Sequence, residues 1–206
     1  MGKNARLGGW QCWVDLHDSY VIKTCKKKGE IKKEVERFLR WKDKLEELEE
    51  RTNKMLEDIE ISTKIIKKSK IPRKLLADLE FIEGGKVKQK RVLPLDQVLK
   101  KLKEKERFEL ITDIMKFLLN LWRYGIHEKT FKLFSNLGLD KDKLVLIDVF
   151  EITSTKKKVL KQIKKRNWAK SGNYKKHLTD KEIDYLIKKL DKTFTEKNLN
   201  KYWKTK

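Results

Sequence analysis

The chain has 206 residues, of which 38% are hydrophobic and 41% charged, with a formal net charge of +22. That length suits one domain, or two small parts sharing a cleft, and is enough to bury a core. No run of about 18 apolar residues occurs, which excludes a membrane-spanning helix. The start, MGKNARLGGWQCW, has no apolar stretch of the kind a secretory signal needs. Two cysteines, Cys12 and Cys25, are too few for a metal cluster or a disulfide framework, and no base stands at a recognisable offset from either. A reduced, cytoplasmic protein without a membrane partner is expected. Lysine outnumbers arginine by 44 to 9, although arginine is the better bidentate reader of phosphate and guanine. Residues 151–206 hold 18 basic and 6 acidic side chains, so this basic C-terminal quarter is the place where an acidic partner or nucleic acid would bind.

In chain order, Trp10, Cys12, Val14 and Leu16 alternate with polar residues, and His17-Asp18-Ser19 supplies a turn before Tyr20-Val21-Ile22-Lys23. This pattern predicts a β-hairpin with one apolar face. Residues 29–59 change to helical spacing through Ile31, Val35, Phe38, Leu45 and Leu48, with Glu36–Arg40 as an exposed i,i+4 pair. A second helical piece covers Ile59–Lys68 and ends before Pro72. Residues 73–95 predict a second hairpin, turned by Gly84-Gly85. A short helix is expected over 97–103. Apolar residues from Phe108 to Trp122 then recur every three or four positions, which predicts a buried helix stopped by Gly125. After a polar loop come the strand Leu144–Asp148 and helices near 155–167, 181–191 and 195–203. Thr179-x-x-Glu182 and Thr193-x-x-Glu196 are candidate capping boxes for the last two.

Residues 117–151 carry the chemistry: an apolar helix, Gly-Ile-His, a polar loop holding Asn136, and a hydrophobic strand ending in Asp148. A helix-anchored loop presenting two oxygen ligands is what a phosphoryl-transfer site needs. With Gly8-Gly9 in the first turn and Lys23 in Tyr-Val-Ile-Lys, the chain resembles the protein-kinase-like superfamily. Within it, the small divergent bacterial kinase-like proteins are the nearest match. The resemblance implies an α+β fold of two lobes. Residues 1–96 would form a small antiparallel sheet with one long helix, and residues 97–206 a mainly helical lobe.

It also implies a site binding ATP and Mg²⁺. Gly8 and Gly9 would cover the phosphates, Lys23 would hold them, and Glu36, in preference to Glu34, would pair with Lys23. His127 would buttress the catalytic loop, and Asn136 and Asp148 would be the metal ligands. The slot of the family's catalytic Asp reads Lys129, with Glu128 one residue away as the candidate base. Two functions are therefore expected: phosphoryl transfer to a small-molecule or protein hydroxyl, or a catalytically inactive pseudokinase that serves as a binding module. A basic nucleic-acid-binding protein is a third.

Overall fold

A computed structural model describes residues 5–204. Among them is a five-stranded antiparallel sheet made of β1 (Arg6–Gly8), β2 (Cys12–Leu16), β3 (Tyr20–Cys25), β4 (Glu80–Ile82) and β5 (Lys86–Lys90), in the order β1-β2-β3-β5-β4. The β2–β3 hairpin forms where the alternation predicts it. His17 N–H bonds to Tyr20 O, and the His17 and Tyr20 rings stack with centroids 4.3 Å apart. Gly84 and Gly85, both at φ +70°, turn the chain between β4 and β5. Residues 73–76 form a 3₁₀ turn, so the second hairpin begins only at Glu80.

Between β3 and β4 stand two helices, α1 (Lys28–Lys42) and α2 (Leu48–Lys68). The expected division at Ile59 is absent, and the break falls at Asp43 instead. There the backbone enters the left-handed region (φ 53°), and Lys44 N–H returns to Leu39 O, closing the first helix. The two helices pack through Ile31, Val35 and Leu39 on one side and Leu48, Met55, Leu56 and Ile59 on the other. α2 continues unbroken, and its buried Ser62 hydroxyl donates to Phe150 O at 2.9 Å. That bond ties the helix pair to the distant segment ending in Glu151.

Arg91 and Val92 lead from the sheet to β6 (Leu93–Pro94), and α3 follows at Leu95–Leu99, earlier than expected. α4 (Glu104–Trp122) buries Leu110, Ile111, Ile114, Met115, Leu118 and Trp122 in the main core. After it come β7 (His127–Glu128), α5 (Leu133–Asn136), β8 (Leu137–Asp140), β9 (Lys143–Leu146) and β10 (Ile152–Thr153). β6, β8 and β9 form a three-stranded antiparallel sheet, while β7 pairs with β10. β9 ends at Leu146, so Asp148 stands beyond the strand and not at its tip.

α6 (Lys156–Lys165) buries Val159 and exposes its lysines, the solvated face its sequence suggests. α7 (Asp180–Thr193) carries the expected Thr179–Glu182 capping box. α8 (Glu196–Tyr202) is capped by Thr195, whose hydroxyl accepts from Asn198 N–H. Thr193 is the last residue of α7 and caps nothing. The architecture is thus mixed α+β, with a small antiparallel sheet and several helices. No helix among the described residues is long and apolar enough to cross a membrane.

Gly125 is one position where glycine is required. Its φ is +66°, and a Cβ there would sit 3.1 Å from Lys204 O. Gly125→Ala is expected to cost about 1–2 kcal/mol from the left-handed backbone alone, seen as a lowered Tm in thermal denaturation. Gly29→Ala, within α1 and with nothing within 4 Å, is expected to be neutral or to stabilise by up to about 1 kcal/mol.

Candidate functional site

Of the residues expected to act together, Gly9, Lys23, Asn136 and Asp148 line one cleft, whereas Glu36, His127 and Glu128 do not. Lys23 Nζ, from β3, donates to Ile147 O at 2.5 Å, the carbonyl next to Asp148. Two cavities meet at this lysine. One, of about 360 Å³, is lined by Gly9, Gln11, Lys23, Asn136, Asp148 and Glu151 among others. The other, of about 510 Å³, has an apolar wall of Val14, Val21, Val92, Leu93 and Ile147. Gly9 N–H bonds to Cys12 O, holding the first turn over the smaller cavity, and Gly8 lies against the Trp13 ring.

Asn136 and Asp148 come together on one wall of the smaller cavity. The buried Asn136 is the last residue of α5, and its carbonyl accepts both Ile147 N–H (2.9 Å) and Asp148 N–H (3.1 Å). Its carboxamide nitrogen donates to Glu128 Oε1 at 3.0 Å and to Glu151 Oε2 at 2.9 Å. Asp148 Oδ1 accepts Phe150 N–H. Burial pushes the Asp148 carboxyl above its ordinary value, and the Lys23 ammonium opposes that shift.

Glu36 does not meet Lys23. It pairs with Arg40 on the outer face of α1. The inward carboxylate is Glu34, which binds the buried Lys26 at 2.8 Å, while Glu30 accepts from the Trp13 indole. Residues two positions apart on a helix differ by about 200° of rotation, so Glu34 and Glu36 lie on different faces. Lys23 has the Ile147 carbonyl as its hydrogen-bond partner in the cleft, and its charge acts on the Asp148 carboxyl without an ion pair between them.

The loop between β7 and α5 is closed on itself. Glu128 is 1% exposed and accepts from Thr130 N–H, the Thr130 hydroxyl, Phe131 N–H and Asn136. Burial pushes its carboxyl up to about 7, against those hydrogen bonds. It does not line the cavity, so the expected base is a fastener of the loop. Lys129 turns away to pair with Asp58 of α2 at 2.5 Å.

His127 is also buried. Its Nδ1 accepts the Trp122 indole N–H at 3.0 Å. An indole can only donate, so the imidazole proton is on Nε2 and is given to Gln162 Oε1 at 3.0 Å. Gln162 in turn donates to Lys129 O at 2.7 Å. His127 thus buttresses the loop from behind and touches no cavity wall. Burial lowers its pKa to about 4.

Two lining residues escaped the sequence reading. Glu151, three residues past Asp148, is held by the Thr130 hydroxyl at 3.1 Å, Asn136 and Lys132. Lys132 brings a second ammonium to the same wall. A faint signal existed in their nearness to Asn136 and Asp148, but no spacing rule selects them among so many charged residues.

The group that the resemblance implies can be tested against these atoms. No cluster of three His, Cys, Asp or Glu side chains suited to a metal occurs among the described residues. Nucleotide-bound Mg²⁺ needs only one or two protein carboxylates, the rest of its oxygens coming from phosphate and water. The Asp148 carboxylate and the Asn136 carboxamide, on one cavity wall, fit that modest demand. No protein-family model, curated protein or solved structure matches the chain, so what the cleft can do follows from its residues alone.

Two outcomes follow from the loop. The His127 contribution to stability is complete above its ordinary pKa of 6.5, declines as pH falls, and is gone below about 4. It amounts to on the order of 3 kcal/mol, because the unfolded chain takes up the proton first. NMR titration of the ring is expected to show a neutral Nε2–H tautomer at pH 5, and an imidazolium there would contradict the buried arrangement. Glu128→Gln, which leaves a backbone N–H facing an amide nitrogen, is expected to lose about 1–3 kcal/mol of stability, measured by denaturant unfolding.

Proposed function

We propose that the chain is a kinase-like protein of two lobes that binds a nucleoside triphosphate, ATP in the first instance, together with Mg²⁺. The observation that carries this reading is Lys23 at the junction of the two cavities, its ammonium beside the segment ending in Asp148. The apolar cavity suits a flat purine and the polar one suits phosphates. The Gly9 turn would lie over the phosphates, with Lys23 and Lys132 matching their charge. Asp148 and Asn136 would hold the metal, which supplies charge neutralisation between phosphate oxygens. Lys23 needs only to swing from Ile147 O, and an ammonium with three donors can keep one bond while making others.

Nucleotide binding without rapid chemistry is the better-supported form of this function. The loop offers no carboxylate to the cavity, since Glu128 is enclosed by four donors and Lys129 is paired elsewhere. One observation favours a second form, phosphoryl transfer: Glu151 lines the cavity that would hold the γ-phosphate. The acceptor hydroxyl oxygen would attack that phosphorus, the bond to the β–γ bridging oxygen would break, and the proton would pass to Glu151. Nucleoside diphosphate would leave.

Mass action sets the test, because a ligand that binds only the folded chain raises its Tm. ATP with Mg²⁺ is expected to stabilise the wild-type protein by about 2–3 kcal/mol at a hundredfold excess over Kd. Lys23→Ala and Asp148→Asn are each expected to remove most of that shift. An unchanged shift in both variants would sink the assignment. Glu151→Gln separates the two forms: in a transfer assay it abolishes any turnover while the thermal shift persists.

A further inference from the structure

Cys12 and Cys25 face one another across β2 and β3 as register partners, with their sulfurs 3.4 Å apart. Lys26 N–H bonds to Gln11 O at the adjoining pair, so the cysteines occupy a non-hydrogen-bonded position of the ladder. Side chains approach most closely at such positions, where the Cα atoms are about 4.5 Å apart. That lies at the lower edge of the range a disulfide spans. The β2–β3 ladder continues from Trp13–Thr24 to Leu16–Val21, so the strands keep their register beyond the cysteines, while Cys12 itself belongs to the core.

We propose that Cys12 and Cys25 are a redox modification site, a dithiol that closes to a cross-strand disulfide and stiffens the turn over the phosphate cavity. The chemistry balances with a peroxide as oxidant. The Cys25 thiolate attacks one peroxide oxygen and the O–O bond breaks, giving a sulfenic acid and a hydroxide or alkoxide, which takes up the proton the thiol had released and leaves as water or an alcohol. The Cys12 sulfur then displaces hydroxide from that sulfenic sulfur and loses its proton, so the S–S bond forms and a further water leaves. A thiol reductant reverses the reaction.

The roles of the two residues follow from the pair. The Cys12 thiol donates to Cys25 Sγ, which holds the Cys25 pKa below its ordinary value. The same bond and burial drive Cys12 upward. Cys25 is also the more accessible of the two. The consequence for the cavity follows from Cys12 itself, which lines it and whose carbonyl anchors the turn through Gly9 N–H. Crosslinking fixes that anchor to β3. Any effect on nucleotide entry rests on the function proposed above, whereas the disulfide and the stiffening do not.

The test uses the full chain without nucleotide. After hydrogen peroxide treatment, mass spectrometry is expected to show a monomer lighter by about 2 Da, with both thiols lost to titration under denaturing conditions and both restored by dithiothreitol. Hydrogen exchange in the peptide spanning Gly9–Gln11 is expected to slow on oxidation, at least threefold. Cys12→Ser is expected to stop at sulfenic or higher oxidation, or to dimerise, with no intramolecular product. An unchanged mass with two free thiols, sulfinic acid on separate cysteines in the wild type, or intermolecular dimers only would each overturn the site. An intramolecular disulfide with unaltered exchange in that peptide would overturn the stiffening.

Discussion

The buried amide of Asn136 is the fixture on which the cleft depends. Its carbonyl takes the two N–H groups that set the direction of Ile147 and Asp148. Its side-chain nitrogen reaches Glu128 on one side and Glu151 on the other. One residue at the end of a one-turn helix thus links the loop of Glu128 to the stretch from Ile147 to Glu151, two segments that also meet through Lys129 N–H and Glu151 O. A neutral amide buried with its donors used costs little, whereas the same position left as an unpaired acceptor or donor would cost the full desolvation of that group. The network is cooperative for that reason, since loosening any member exposes a carboxylate to an apolar surround.

Charge in the cleft is balanced only in part. Lys23 and Lys132 share the smaller cavity with Asp148 and Glu151, Lys132 being paired directly with Glu151, and burial holds the Asp148 carboxyl above its usual range. An anionic ligand entering alone would meet two carboxylates and gain from two ammoniums. On the reading proposed above, a ligand that brings its own divalent cation would meet a better match, the cation drawing on Asp148 and the phosphates on the lysines. The same electrostatics disfavour a free polyanion such as a nucleic-acid backbone in this cleft.

How much of this was legible depended on whether the signal was local. The β2–β3 alternation, the apolar stripe of α4 and the Thr179–Glu182 cap were readable because each is written in consecutive or i,i+3 residues. That Lys23 and Asp148 share a cleft was expected only from the resemblance, and the bond of Lys23 to Ile147 O was not expected at all. The division between α1 and α2 was not readable, because helical spacing continues on both sides of Asp43 and a single left-handed residue makes the break. Glu36 was misassigned for a related reason. Its neighbours Val35 and Leu39 are buried, but its own azimuth on the helix points outward, and the choice between Glu34 and Glu36 hinges on a rotation that apolar neighbours do not reveal. Glu151 and Lys132 became visible only when the fold brought β7, α5 and the chain after β9 to one place.

The loop itself explains why a carboxylate at the expected position is not an open one. Asn136 follows His127 by nine residues, two more than the kinase-like pattern the sequence resembles. The extra chain is spent on a turn through Thr130 and Phe131, the latter at φ 56°, whose N–H groups both point at Glu128. To serve a substrate hydroxyl, Glu128 would have to surrender those donors and leave two backbone amides unpaired in a buried turn. That cost, about 1–3 kcal/mol for each stranded group, would offset much of what a general base contributes to a reaction. Glu151 bears no such burden. It lies on the cavity wall, it is held by side chains that can yield, and Lys132 keeps it close. For the transfer proposed above, the proton acceptor would therefore be Glu151, after Asp148, and not Glu128, before Asn136.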